Sequence, residues 1–390
     1  MSPVKKYIDG IDSLRAISAI MVVLGHSEIF MYLHEWSHKT FMSTMTLGMG
    51  VVLFLVISGY VVFASLIPHL HELKNNFLSF WFAFLTRRFF RLAPTCYVWL
   101  FIILMLTYCF PSYFINFQQT LREAVGVLTY LYNYMCAFGF YLVKGAPMNL
   151  GYHNTLSAEE QFYFFLPILL FVLRARWIVP VSISIIVISF MIQRPQQWYY
   201  FSYDSFFYGI LLASILQKVS LPTVYVPPFI RTLFLKIIGP LLIWVGIYLL
   251  VHATNYQINH RVTETAACIS FFILVLVCFG VRPLSSNKLD ALLVYIGKRS
   301  YTLYLSHIPT YLILNAIIMR LGWTTPDGQS MRFYFNTPMS ILLVLVSFSI
   351  LWLFVELIYR NIEIPARNWG KRISARRLNT PTEAMALAPS

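Results

Sequence analysis

The chain has 390 residues, of which 58% are apolar and only 11% charged, and it carries a net charge of +14. A soluble chain holds roughly a quarter charged residues, so the composition excludes an ordinary soluble domain. The basic surplus does not mark a nucleic-acid binder, because the lysines and arginines sit in short segments between long apolar runs, where the positive-inside rule and an anionic cytoplasmic leaflet place them.

A helix needs about 20 mostly apolar residues to cross the hydrocarbon core. Ten runs fit, at about 14–32, 47–67, 92–110, 155–173, 177–193, 200–217, 236–252, 262–280, 296–319 and 338–359. The fold class expected is therefore all-α, a polytopic membrane helix bundle. The first run starts near Leu14 and holds Arg15 and Glu28, with no small-residue cleavage site behind it, so it reads as a span and not as a signal peptide. With the N-terminus in the cytoplasm, 21 basic residues fall in inner segments and seven in outer ones, with Arg15 at the inner end of the first span. That bias places both termini in the cytoplasm.

Residues 121–142 are apolar enough for an eleventh span, but a crossing there would put Arg367, Lys371, Arg372, Arg376 and Arg377 outside. The segment 111–154 is expected instead to be an outer loop with an aromatic helix in or dipping into the interface, where Tyr130, Tyr132, Tyr134 and Tyr141 suit the headgroup level. Residues 1–378 read as one transmembrane domain and 379–390 as a disordered cytoplasmic tail. The five cysteines, Cys96, Cys109, Cys136, Cys268 and Cys278, show no metal-ligand spacing, and their odd number argues against a disulfide framework.

Ionisable residues inside spans are costly and mark function. Arg15 and His26 are eleven positions apart, which returns them to one face of a helix about 16 Å apart along its axis. Arg15 reads either as a snorkelling inner-end arginine or as a cation for an anionic ligand. His26 reads either as a histidine bonded to a neighbouring helix or as a proton-transfer group. Ser58-Gly59-Tyr60 in the second span allows close helix approach. Arg88 and Arg91, three apart at the inner end of the third span, share a face and can grip phosphates, or else anchor the span. The fourth span opens Ser157-Ala158-Glu159-Glu160-Gln161, where Ser157 and Glu160 fit a capping box. Only one of the two carboxylates is expected to face the bundle, and Glu160 is favoured because it shares a side with Ser157, Gln161 and Phe164. His307 in the ninth span is a second polar partner, Glu356 is expected to pair inside the bundle, and Glu363 precedes Pro365 at the inner end of the last span.

Taken in order, these pieces resemble the acyltransferase-3 family, the membrane acyltransferases that O-acylate surface glycans. The resemblance rests on Asp12-Ser13-Leu14-Arg15 with ten residues between Arg15 and His26, on Phe54 through Tyr60, and on Arg88-Phe89-Phe90-Arg91 with Pro94. It continues with Leu156 through Tyr163, Ile296 through His307, and Glu363-Ile364-Pro365, so that it covers about residues 9–366. Ser13 stands where glycine is common, Ala158 where valine is common, and Ser306 where tryptophan is common. The family often carries a fused extracytoplasmic esterase-like domain; with about 25 residues after the last matched motif, a stand-alone enzyme is expected.

The resemblance implies transfer of an acetyl group from cytoplasmic acetyl-CoA, as co-substrate, to a hydroxyl of an extracytoplasmic carbohydrate such as lipopolysaccharide O-antigen, in a bacterial inner membrane. His26 and Glu160 are then the catalytic candidates and Arg15, Arg88 and Arg91 the donor-binding ones, with Asp12, Ser58, Ser157, Glu159, His307 and Glu363 as further site candidates. His26 would act as general base or accept the acetyl group itself. The partners expected are acetyl-CoA, a polysaccharide or lipid-linked glycan, and membrane lipids, with no nucleic acid. No metal is expected: His69 with His71 and His34 with His38 lie in loops. The competing class is a transporter or flippase using the same buried charges, although no internal repeat supports it.

Overall fold

The computed structural model of the chain describes residues 11–26, 31–32, 48–114, 116–139, 149–173, 175–192, 201–218, 224–253, 260–283, 287–322, 333–334 and 338–378. Glu28, His34, His38, Tyr141 and the tail 379–390 lie outside the described residues. In lipid every backbone N–H and C=O must be satisfied within the chain, and an apolar run does so most simply as a helix. In chain order the elements are α1 (Ile11–His26), β1 (Met31–Tyr32), α2 (Gly48–Leu66), α3 (Leu70–Asn75), α4 (Phe77–Cys109), α5 (Phe117–Leu128), α6 (Tyr132–Phe138), α7 (His153–Val172) and α8 (Ile178–Met191). They continue with α9 (Asp204–Lys218), β2 (Val224–Val226), α10 (Pro228–Arg231), α11 (Gly239–Ala253), α12 (His260–Gly280), β3 (Val281–Pro283), α13 (Lys288–Gly297), α14 (Ser300–Arg320), β4 (Phe333–Tyr334), α15 (Pro338–Ile358) and α16 (Ile364–Leu378). Wider π turns at Thr232–Ile238 and Tyr359–Glu363 join α10 to α11 and α15 to α16. The strands form two minimal parallel pairs between loops, β1 with β4 and β2 with β3.

A helix stands at each of the ten expected positions, and six stretches among the described residues are long and apolar enough to cross a membrane: Gly50–Asn75, Phe77–Cys109, His153–Val172, Pro228–Ile247, Ser300–Arg320 and Val344–Ala375. The chain is an integral membrane protein. Large apolar side chains such as Phe101, Tyr108, Phe165, Val172, Met191 and Leu353 point outward, as lipid-facing helices require. Residues 121–142 do not make one long helix. They break into α5 and α6 at Tyr130, whose φ of 55° is a left-handed value that stops a helix. The third span begins earlier than expected: α4 starts at Phe77, so Arg87, Arg88 and Arg91 lie inside a continuous helix. Ser157 is not an N-cap, because α7 starts at His153 and Ser157 is buried within it. The turn before it is held by the buried Glu123 carboxylate, which accepts from the Leu150 N–H at 2.8 Å and from the Tyr132 hydroxyl at 3.1 Å.

Two close approaches fix the helices that carry the site. At the α2–α9 crossing, a Cβ on Gly59 would collide with the Phe206 backbone and one on Gly209 with the Val56 carbonyl. A Cβ on Gly297 of α13 would likewise collide with the Asp12 carbonyl of α1. Beside that contact, Asp290 bonds the fully buried Lys236 ammonium and, at 2.8 Å, the Ser13 hydroxyl. The serine that replaces the commoner glycine is therefore part of the anchor of α1. Burial alone would push the Asp290 carboxyl up, but the Lys236 hydrogen bond and charge hold it below its ordinary value of 3.8.

Two expectations follow from these contacts. Gly209→Val should destabilise the detergent-solubilised protein by at least 1–3 kcal/mol, the scale of core overpacking, read as a drop in melting temperature. Asp290→Ala should cost about 3–5 kcal/mol by leaving Lys236 buried and unpaired, while the double change Lys236→Met with Asp290→Leu should cost much less. The Asp290 contribution, belonging to a carboxyl with a depressed folded-state pKa, is present above pH 3.8 and lost as pH falls through the folded value. Melting curves of the three proteins across acidic pH test both points.

Candidate active site

The seam between α1, α2, α4, α7 and α14 holds the polar groups that the apolar bundle would otherwise exclude. At one end a small cavity of about 20 Å³ is lined by Arg15, Ser58, Arg88, Arg91, Glu159, Tyr163 and Tyr301, among others. A second cavity, of about 10 Å³, shares Phe54, Glu159 and Tyr301 with the first and runs on past Ser18, Thr155, Val22 and Tyr304. Spaces of this size admit about one water or a thin chain, and they share one waist, the Phe54–Glu159–Tyr301 level.

Arg15, Arg88 and Glu159 on this line each have a physical partner. Arg15 lies 3.9 Å from the Asp12 carboxylate and 5.5 Å from the Phe54 ring centroid. Arg88, 8% exposed, is held between Tyr163 at 4.6 Å and Phe84 at 5.4 Å, the stacking geometry that a planar guanidinium favours. Glu159 accepts from the Ser58 hydroxyl at 2.8 Å and from the Tyr163 hydroxyl. Glu160 is half-buried, with one enclosed carboxylate oxygen lacking a hydrogen-bond partner. The preference for Glu160 therefore gives way: Glu159 is the buried carboxylate and the one that lines the arginine cavity. Phe164, expected on Glu160's side, is instead exposed.

At the far end of the line, His307 is fully buried and its Nε2 lies 3.2 Å from His26 Nδ1, with ring centroids 5.0 Å apart. The backbone decides the tautomers. His307 Nδ1 faces the Tyr304 carbonyl, which can only accept, so Nδ1 carries the proton and the Nε2 of a neutral ring is an acceptor. His26 Nδ1 lies 3.1 Å from the Val22 carbonyl and also carries its proton, which that carbonyl and His307 Nε2 share. The lone pair of His26 is thereby left on Nε2. Val22 and Tyr304, which orient the two rings through their carbonyls, also line the second cavity.

Several contributing residues were not singled out from sequence. Tyr301 donates to the Leu92 carbonyl at 2.6 Å, Tyr304 to the Tyr152 carbonyl at 2.7 Å, and Tyr311 to the Val23 carbonyl at 3.0 Å. Tyrosines on one side of an apolar helix, in α14, were the available signal, because a buried hydroxyl needs a partner. Ser306 accepts from the Trp99 indole at 2.9 Å, so α4 supplies the tryptophan that α14 lacks. Glu363 bonds the Thr302 hydroxyl, and Glu356 pairs with Arg299 at 2.6 Å and with Arg360. All five cysteines are free, and no group of three or more His, Cys, Asp or Glu side chains among the described residues could hold a metal.

Comparison with known proteins places this arrangement. The family described as an acyltransferase domain, Acyl_transf_3, matches residues 8–356. The chain belongs to the acyltransferase-3 family. A relative from Staphylococcus aureus strain COL, named "Putative O-acetyltransferase SACOL0978", is 27% identical over 385 residues, covering 94% of this chain and 58% of its own. The O-acetyltransferase OatA of Staphylococcus aureus strain NCTC 8325 / PS 47 is 25% identical over 400 residues with the same coverage. The chain thus spans less than two thirds of the length of these relatives. No solved structure matches it.

The double stacking of Arg88 yields a test. Arg88→Lys keeps the charge but cannot lie flat on two rings, so it should lower acyl transfer tenfold or more at unchanged protein level. Activity within threefold of the parent would show that the stack is dispensable.

Proposed function

We propose that this protein is a membrane O-acetyltransferase that takes the acetyl group of cytoplasmic acetyl-CoA and places it on a hydroxyl of an extracytoplasmic carbohydrate, lipopolysaccharide O-antigen being one such acceptor. In this reading ten helices span a bacterial inner membrane, both termini are cytoplasmic, and the arginine end of the seam faces the cytoplasm. One observation carries it: a cationic cavity shares the Glu159 waist with a second cavity lined by Val22 and Tyr304, the residues whose carbonyls hold the His26–His307 pair. Membership in the family and the names of the O-acetyltransferase relatives support the same reaction.

The residues divide the work by position. Arg15, Arg88 and Arg91 attract the phosphates of the donor at the mouth. The narrow seam takes the thin thioester arm and keeps water out. His26 Nε2 removes the proton of the acceptor hydroxyl as its oxygen attacks the thioester carbonyl. The C–S bond breaks, and the proton passes back to the departing thiolate. His307 Nε2 accepts from His26 Nδ1–H throughout, holding the ring in the tautomer that can act and supporting the imidazolium that forms. Glu159 at the waist, with Glu160 beside it, lies in the field of the Arg88 charge and favours its ionised form. The same free Nε2 also suits direct acetylation of His26 before transfer; a burst of CoA release without acceptor is the sign of that route.

Mass spectrometry of host surface glycans before and after mild alkali tests the function, comparing cells with the parent protein, with His26→Ala and with none at matched membrane levels. An alkali-labile acetyl increment seen with the parent alone supports it. Labelled glycan crossing the membrane without chemical change would point instead to the transporter or flippase reading, which the buried charges also fit. His307→Leu should cut turnover about 10²-fold or more, the lower end of general-base effects, with little change in KM for either substrate. His307→Gln, whose amide oxygen can accept from Nδ1–H, should recover part of the loss. The parent rate should fall along a one-proton limb as acid protonates His26.

A further inference from the structure

The basic helix α16, which the proposed donor reading does not use, packs along the arginine-bearing half of α4. Gly370 of α16 sits so close to Phe90 of α4 that a Cβ there would strike its ring, and Trp369 meets the same ring edge-on at 6.5 Å between centroids. This contact brings Arg367 and Lys371, one helical turn apart on α16, to Arg91 on α4. Lys371 lies in the field of both arginines, and Glu363 in the field of Arg91, Arg367 and Arg15. Glu363 is buried, and one of its carboxylate oxygens is taken by the Thr302 hydroxyl. Three cations, Arg91, Arg367 and Arg15, thus gather around one carboxylate, and Lys371 adjoins two of them. Arg367 Nε, and Arg87 Nη1 one turn before Arg91, are buried with no hydrogen-bond partner. Buried guanidinium donors without acceptors are rare, and an anion bound in the finished complex is the simplest way to complete them.

The size of the neighbouring cavity says which part of a ligand belongs here. The space lined by Arg15, Arg88 and Arg91 is only about 20 Å³, far below the 300–1,000 Å³ of pockets that enclose a drug-sized molecule. A thin acyl-bearing arm can thread it, but a phosphorylated nucleoside must stay outside. Arg91 lines this cavity and also faces Arg367 and Lys371, so it stands at the corner between the two. We propose that the cleft between α4 and α16 is a phosphate-ester site, with Arg367 and Lys371 as its binding residues, and that it takes the phosphorylated nucleoside end of the donor while the thioester arm enters the seam. The proposal rests on the donor reading above and adds a station that holds the nucleotide at the mouth.

The test uses the full chain in nanodiscs of phosphatidylcholine, with binding measured by calorimetry for CoA, adenosine 3′,5′-bisphosphate and pantetheine. Arg367→Gln with Lys371→Gln should weaken CoA and the bisphosphate tenfold or more and leave pantetheine unchanged. Arg367→Lys, which keeps the charge and disturbs packing least, should weaken both phosphate ligands several-fold, and a melting temperature within a few degrees of the parent confirms that each variant is folded. If Arg88→Gln and Arg91→Gln weaken CoA while the α16 variants bind it as the parent does, the α16 site is overturned and the donor reading stands. If the α16 variants lose only the stabilisation given by phosphatidylglycerol nanodiscs, with CoA affinity intact, the cleft serves lipid headgroups and the proposal is overturned. If the parent binds no CoA at all, the donor reading fails and the site falls with it.

Discussion

An ionised group buried among apolar side chains costs several kcal/mol unless a partner or hydrogen bonds compensate it, and the seam of this protein is built around that constraint. Arg88 is sandwiched by two rings beside two carboxylates, Glu159 takes two hydroxyls, and Lys236 is closed off by Asp290 and Ser13. The bundle therefore carries a polar line from one end to the other without leaving most of its charges bare. The groups that remain open gain meaning from this rule. Among them are, at the basic end, guanidinium nitrogens of Arg87 and Arg367, and at the waist one oxygen of Glu160.

The histidine pair shows how backbone geometry sets chemistry. Two carbonyls, of Val22 and Tyr304, each claim an Nδ1–H. The ring-to-ring contact then has only one neutral arrangement, and it directs the free lone pair of His26 away from both backbones. Precise placement of α1 against α14 is what makes this possible. The glycine contacts at Gly297, Gly59 and Gly209, together with the Lys236–Asp290–Ser13 anchor, supply that placement far from the rings themselves. A change at the anchor should thus be felt as a loss of activity as well as of stability.

Much of the architecture was legible in the order of residues. Apolar run length announced the helices, because lipid leaves the backbone no other simple way to pair its polar groups. The eleven-residue step from Arg15 to His26 announced one helix face, and Gly59 announced a close crossing. The misreadings were local. Ser157 looked like a cap, but the helix begins at His153, after a turn that the distant Glu123 holds through the Leu150 N–H, and Ser157 is buried inside it. Glu160 looked like the inward carboxylate, but it is Glu159 that is buried, where the Ser58 and Tyr163 hydroxyls meet it.

The sequence by itself determined that the chain is an apolar, helical, membrane-embedded protein with a small set of costly polar residues, since these follow from composition and period alone. Tertiary structure decided which of those residues meet. The contacts between His26 and His307, Ser58 and Glu159, Ser13 and Asp290, and α4 and α16 join positions 101 to 281 residues apart in the first two cases named by their bonds. No local period encodes such pairs, because they depend on how whole helices cross, and that is set by the few places where glycine lets two backbones touch.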